Sequence, residues 1–468
     1  MRKKFLEKHL NGMGGIIALL PIAIPMIVSN IFDTLMTVID RLFMGYVGKE
    51  QMAACMGGGL TAWACMTFFV GTVSYVSAMV ARSYGANKKK DCILITYQGL
   101  YFAILAYPLI LLLGFFASMT FVWAGHDPVE IKYELIYFKY MLLGSFLAVL
   151  RMALASFFSG IGKTAVILRV NAVALVVNVG ANYILIFGKF GCPAMGIHGA
   201  AIGTLLASAT VTGLLFMKFL KYSHLKEYFN RNACRYQSRI IKLLLRFGVP
   251  TGVDNMLATT AFTVAILSFH GFGANAAAAL TVVMNWDLCA FLPMLGIQIG
   301  VITLVSQCLG KGNKHEAERA AYSGFKIGCC YLFFLISCFL LIPQILIGVF
   351  TPANQGIDYG DVIQIAIPML RSAGFYLFFD SINTVFSGAL RGGGDTIIAM
   401  VIGVIYRWFL ASILLFTIHV LKWPMMNCWY SWIGFSCVGA VAIYLRFQTG
   451  HWKHFNILGN DEQKVEAG

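Results

Sequence analysis

Charge is the scarcest commodity in this 468-residue sequence. Only 12% of its residues are Asp, Glu, Lys or Arg, about half the ~25% of an ordinary soluble domain. That is too little to cover a soluble body of this size, and it equally excludes disorder and a coiled coil. Acid is scarcer than base, with 20 Asp and Glu against 35 Lys and Arg. The twelve cysteines include no CxxC pair and no Cys/His spacing suited to zinc. No strand-and-Gly-rich-loop pattern with a phosphate-binding Lys occurs. The glycine run between Arg391 and Asp395 reads as a turn between spans. No Ser/His/Asp set points to hydrolysis, so the sequence is not read as an enzyme.

What is present is apolar length. The chain is 59% hydrophobic with a mean hydropathy of +0.77, and the excess runs end to end. The runs are continuous rather than alternating, which predicts helices and not a barrel. Twelve segments emerge, at about 15–45, 51–82, 93–121, 131–158, 164–188, 196–220, 240–270, 276–308, 318–350, 360–390, 396–420 and 425–446, each able to cross a bilayer. The first follows a basic start, MRKKFLEKHLNG, and outruns a signal-peptide core, so it reads as a span.

The net charge of +15 is spread over loops and does not form a nucleic-acid patch. With Arg2, Lys3, Lys4 and Lys8 placed inside, alternate loops carry the base. These hold Lys88, Lys89 and Lys90; Lys163; Lys221 to Arg239; Lys311, Lys314 and Arg319; Arg391; and Lys453. The other loops hold Lys49, Lys132, Lys189 and Lys422. This bias predicts a multi-pass cell-membrane protein, in the inner (cytoplasmic) membrane, with both termini cytoplasmic.

The sequence also repeats. Shifting it by 225 residues lays Pro25 over Pro250, Asn30 over Asn255, Gly48 over Gly273, Gly71 over Gly296 and Gly85 over Gly310. FFSGIGKT from Phe157 then meets VFSGALRGGGDT from Val385. Six spans per copy make the repeat parallel, about an axis along the membrane normal. The expected organisation is an amino-terminal lobe at 1–220, a cytoplasmic loop at 221–239, a carboxy-terminal lobe at 240–446 and a cytoplasmic tail at 447–468. Fold class is thus all-α: twelve transmembrane helices in two pseudo-symmetric six-helix lobes, the plan of an alternating-access transporter.

Ionisable groups at bilayer depth are costly and mark candidate sites. Asp33 and Asp40 lie seven apart, on one stripe of the first span. Asn178 and Asn182 share a face of the fifth, and Thr204 lies two turns into the sixth. Asp40, both Asn and Thr204 fall at similar depth. Hard oxygen donors of this kind suit a small cation or a proton relay. A carboxylate kept from water and from a base can load and lose a proton. In the second half, Asp254, Asp287 and Asp380 fall near mid-depth with Arg371 and Arg407, as a second site or a structural charge cluster. The positions matching Asp33 and Asp40 are Ala258 and Ala265. The aromatics and 21 Met offer an adaptable apolar lining.

Over residues 15–446 the sequence resembles the multidrug and toxin extrusion (MATE) family. The stretches are PMIVSNIFDTLMTVIDRLFMGYVG, with its D-x-x-x-x-G; FFSGIGKT; NVGANYILIFGKFGCPAMGIHGAAIGT; and FDSINTVFSGALRGGGDT. The resemblance implies export of amphipathic or cationic organic molecules against H+ or Na+, with no other cofactor, by a monomer whose partners are its substrates and the bilayer. It implies that Asp40 is the coupling carboxylate, that Asn178 and Thr204 are its neighbours, and that Asn182 stands where some members carry Asp. Asp380 is similar to a tenth-helix Asp implicated in cation binding, but the accompanying seventh-helix acid is Ala258 here. A flippase of lipid-linked precursors is the related alternative. It would want several basic residues in the cleft, whereas only Arg151, Arg371 and Arg407 read as deep. An integral-membrane enzyme is a remote one.

Overall fold

The computed structural model describes residues 12–123, 128–229, 232–350 and 360–459. The basic start and the last nine residues, both placed inside by the charge pattern, lie outside them. Among the described residues the chain is helical and has no strand. This is the outcome expected where lipid offers backbone groups no hydrogen-bond partners.

The first half runs α1 (Ile16–Gly45), α2 (Lys49–Ser74), α3 (Val76–Gly85), α4 (Lys89–Trp123), α5 (Pro128–Gly160), α6 (Thr164–Phe187) and α7 (Ile197–Ser223). The second runs α8 (Ser238–His270), α9 (Ala274–Gly310), α10 (Lys314–Leu341), α11 (Pro343–Gly348), α12 (Gly360–Gly393), α13 (Thr396–His419) and α14 (Met425–Gln448). Among the described residues, twelve helices are long and apolar enough to cross a membrane, α2 and α3 together making one. A 3-10 turn, His451–His454, follows α14.

Two compact units emerge. One comprises Pro21–Met256, Ser306–Asn313 and Asn456–Gly468; the other comprises Met1–Leu20, Leu257–Val305 and Lys314–Phe455. Their bounds cut through α1, α8 and α9. In the first unit, α2 packs on α5, and α7 packs on both α5 and α6. The paired glycines of the repeat act there too. A Cβ on Gly85 would overlap the Gln307 carbonyl, and a Cβ on Gly310 would overlap the Arg82 carbonyl. The two repeat-matched positions make reciprocal contacts, and only glycine permits so close a backbone approach.

The second unit is tied by buried polar anchors. Asp395, at the head of α13 and 2% exposed, accepts a 2.7 Å bond from Arg446 Nε. Trp452 is fully buried, stacks on Phe447 at 5.1 Å and donates to the Phe447 carbonyl. The segment after the last span thus begins as a docked turn. Gly394, with φ +106°, closes α12, as expected of the glycine run.

Candidate functional site

The site is built on α1. The helix runs 30 residues in spite of Pro21 and Pro25, and Asp40 lies in its last two turns. Asp40 is only 6% exposed. Its Oδ1 accepts from Asn182 Nδ2 in a short hydrogen bond. Its Oδ2 accepts from Thr204 Oγ1 at 3.1 Å, and the same hydroxyl lies 3.0 Å from the Ala200 carbonyl. Three helices therefore meet at one carboxyl: α1, α6 and α7.

Local sequence explains the approach. Asn178 and Asn182 are one turn apart on α6 and project to the same side. Gly203 precedes Thr204 on α7, and a Cβ there would overlap the Asn182 amide oxygen. The GAAIGT stretch is small so that α7 can close on α6. Asn178 and Asn182 are buried, at 1% and 0% exposure. The Asn178 amide faces the Asp40 carboxyl, and neither its Oδ1 nor Asn182 Oδ1 has a hydrogen-bond partner among the described residues. Beside one carboxyl there are thus two buried carbonyl oxygens without donors. That arrangement fits a proton or a small hard cation held by Asp40, Asn178, Asn182 and Thr204.

Two further residues close the site that sequence reasoning did not single out. Tyr137 of α5 and Cys55 of α2 pack in one buried cluster with Met44, Ile186, Ala200 and Ala201. The Tyr137 hydroxyl faces Cys55 and Thr204. No local motif marks Tyr137 among 20 tyrosines; only the packing of α5 selects it.

Asp33 is not brought into this cluster. Its carboxylate accepts from Arg151 Nη2 at 2.8 and 2.7 Å. Asn171 Nδ2 stands 3.4 Å from Asp33 Oδ2 and donates to Ser29 Oγ at 2.7 Å. The pair is partly open, with side chains 37% and 27% exposed.

The second-half candidates divide. Asp287 and Asp380 lie within each other's field, with Arg407 facing Asp380 and Thr384 Oγ1 at 3.5 Å from it. Asn383 donates to the Tyr406 hydroxyl at 2.9 Å. Asp254 is buried in the other compact unit. Arg371 departs from the expected mid-depth position. It lines a crevice of about 400 Å³ with Leu340, Pro368, Phe375 and Tyr430. Leu340 is one residue from the end of α10, and Tyr430 lies in the second turn of α14. Arg371 is therefore level with span ends. Counting depth from Gly360 misplaces it because α12, at 34 residues, is longer than α10 at 28 or α14 at 24.

The fold and this buried carboxylate site define a multi-pass helical membrane protein of the two-repeat transporter type. The chain belongs to the MatE family, whose model matches residues 25–184 and 250–416. The two matches start 225 residues apart, the same shift that aligns the halves of the sequence. Curated relatives include a probable multidrug resistance protein NorM of Pseudomonas putida, 26% identical and covering 96% of this chain and 97% of that one. A second, also a probable multidrug resistance protein NorM, is from Thermotoga maritima, at 24% identity and 95% of each chain. Among solved structures, an outward-facing multidrug resistance MATE family transporter superposes with a TM-score of 0.82 at 17% identity, over 95% of this chain and 97% of that one. A eukaryotic MATE transporter gives 0.80 at 19% identity, over 93% and 96%.

Proposed function

We propose that this chain is a secondary active exporter of amphipathic and cationic organic molecules, driven by H+ or Na+ moving inward through Asp40. The observation that carries the reading is the buried Asp40 carboxyl, hydrogen-bonded only by neutral groups beside carbonyl oxygens that lack donors. The names of the curated relatives support multidrug export.

The chemistry follows from donor and acceptor arithmetic. Ionised, Asp40 is acceptor-only and takes hydrogen bonds from Asn182 and Thr204. Protonated, it gains an O–H and becomes a donor, for which the Asn178 and Asn182 carbonyls are acceptors within the same cage. A bound Na+ would instead draw those oxygens inward as ligands. Either event changes how α1 is tied to α6 and α7. If the two pairings favour different arrangements of the six-helix lobes at 1–220 and 240–446, ion and drug select different states. A gradient of one then drives the other.

The orientation proposed with this function has both termini in the cytoplasm of a cell that carries the chain, as a monomer, in its cytoplasmic membrane. A carboxy-terminal reporter active only in the cytoplasm tests it. The function is tested by efflux of a fluorescent organic cation from vesicles, with ΔpH and ΔNa+ imposed separately. Wild-type protein responds to at least one gradient, and Asp40→Asn responds to neither. Equal gradient-driven efflux from both proteins would overturn the assignment of Asp40.

A further inference from the structure

Outside the Asp40 site, the strongest unassigned feature is the way the first helix of each repeat begins. The turn before α1 is docked on α10. Gly14 N donates to Glu316 Oε2 at 2.7 Å, and Ser323 Oγ donates to the Gly14 carbonyl at 2.8 Å. Gly14 is buried, and so is Ser323. Glu316 and Ser323 are seven apart, in the first and third turns of α10, so they lie on one stripe of that helix. A Cβ on Gly14 would overlap the Glu316 carbonyl, so only glycine permits this approach.

The second repeat starts in the same way. Gln237 N donates to Gln98 Oε1 at 2.9 Å, and Gln98 Nε2 donates to the Arg235 carbonyl at 3.1 Å. Gln98 is fully buried in α4, and the 225-residue shift lays it over Ser323. The same shift lays Asp91 over Glu316, Tyr97 over Tyr322 and Gly99 over Gly324. Two latches therefore occupy matching places: α10 holds the start of α1, and α4 holds the start of α8. Each latch lies within one compact unit. Met1–Leu20 clusters with Lys314–Phe455, while Gln98, Arg235 and Gln237 all fall in Pro21–Met256. From Pro21 onward, α1 belongs to the unit that holds Asp40. Asp40 lies 24 residues after Ile16, roughly 36 Å along the axis at ~1.5 Å per residue. The α8 helix also passes from one unit to the other, but it has Ala265 where α1 has Asp40.

We infer that Glu316 and Ser323 are positioning residues for ion coupling: by holding the start of α1 on α10, they make α1 the link through which a change at Asp40 acts on the second unit. A helix transmits a displacement only where both of its ends are held. At one end the Asp40 carboxyl is bonded to α6 and α7; at the other, Gly14 is bonded to α10. With its start released, α1 shifts alone when Asp40 changes partners. The ion still binds, but the coupling between the two units is lost. The inference rests on the Asp40 reading, but not on which way the chain is inserted or on whether the ion is H+ or Na+.

The test uses the full-length double variant E316A/S323A in vesicles matched for folded protein. Efflux of a fluorescent organic cation is measured against the concentration of the driving ion, H+ and Na+ in turn. Hydrogen exchange over residues 12–20 reports whether the start of α1 is released. Exchange there is expected to speed up at least about tenfold. Maximal efflux is expected to fall about tenfold, while the ion concentration for half-maximal efflux stays within about twofold of wild type. Glu316→Gln keeps an acceptor for Gly14 N and is expected to keep efflux within about twofold. Gln98→Ala releases the other latch, on a helix without the carboxyl, and is expected to keep efflux within about threefold. Should the double variant not fold, Ser323→Ala alone carries the test, with one bond lost and efflux down about threefold. Wild-type efflux from a chain whose residues 12–20 are released overturns the inference, and so does unchanged exchange in the double variant. An equal fall in Gln98→Ala overturns it too, because docking would then be a general need of the fold. So does a rise in the half-maximal ion concentration that matches the fall in efflux, because the latch would then shape the ion site. Failure of the Asp40 reading shows separately, as a full gradient response in Asp40→Asn.

Discussion

Asp33 and Asp40 sit seven residues apart on one helix, yet their surroundings are opposite in kind. Asp33 faces a guanidinium, with both carboxylate oxygens bonded by Arg151. Asp40 is enclosed by an amide and a hydroxyl, neither of which carries charge. A carboxylate removed from water must have its charge balanced, by a fixed cation, a proton or a metal ion. Asp33 has its balance built in. Asp40 has only the field of the neighbouring Arg41 and no hydrogen-bonded cation, so a proton or metal ion can complete its balance, and that need is what could couple it to an ion gradient. Spacing alone made the two acids equal candidates; partner chemistry separates them.

The largest predicted effect breaks or confirms this contrast directly. Asp40→Asn should lower gradient-driven efflux at least about a hundredfold, since no group remains to take up the ion. Asp33→Asn should leave the response to the gradient in place, with efflux within about threefold of wild type, because the hydrogen bonds to an amide partly replace the ion pair. Comparable losses in both variants, in vesicles matched for protein content, would mean that Asp33 is also part of the ion path.

Next in size is the approach of α7 to α6. Gly203→Ala should force the Asn182 amide away from Asp40, because the new methyl takes the space of its oxygen. We expect efflux to fall about tenfold with ion affinity reduced, and an unfolding loss of roughly 1–3 kcal/mol from overpacking. Asn178→Ala, which removes an amide that faces Asp40 but whose oxygen has no donor, should cost less stability than Gly203→Ala. The reverse order in a thermal-unfolding comparison would show that Asn178, not Asn182, organises the cage.

The Asp33–Arg151 pair should read out as stability. Arg151→Ala leaves Asp33 with Asn171 alone, and a loss of about 1 kcal/mol is expected. The figure is discounted because Asp33 is more than a third exposed. A double-mutant cycle with Asp33→Asn should recover most of that as coupling energy. Coupling near zero would remove the structural role given to the pair.

Much of this was legible before any coordinates. Helix count follows from apolar run length, since the bilayer sets a minimum span. The repeat follows from Pro, Asn and Gly matches that composition alone would not align, and the family match at 25 and 250 falls in the same register. Asp40, Asn178, Asn182 and Thr204 could be grouped because each lies a countable number of turns from a span end. What could not be read was partnership across long sequence distances. Arg151 reaches Asp33 over a separation of 118 residues. Nothing in α5 marks Arg151 as a partner rather than a cleft residue. Depth failed for Arg371 because its neighbours Leu340 and Tyr430, near the ends of α10 and α14, are set by packing that a residue count along α12 does not contain.

The smallest effect, at Tyr137, sharpens the contrast most finely. Its ring is buried in the cluster that backs the Asp40 site, while its hydroxyl faces Cys55 and Thr204. Tyr137→Phe keeps the packing and deletes the hydroxyl. If the hydroxyl only steadies Thr204, unfolding stability should shift by no more than about 1 kcal/mol, and efflux should drop two- to threefold with the same ion dependence. If the hydroxyl hands protons to Asp40, proton-driven efflux should collapse while the folded state is unaffected. Any Na+-driven efflux should survive, since Na+ needs no proton donor. Measuring both gradients on this one variant therefore separates a neighbour that positions from one that takes part. It also decides whether the neutral cage around Asp40 extends from α6 and α7 onto α5.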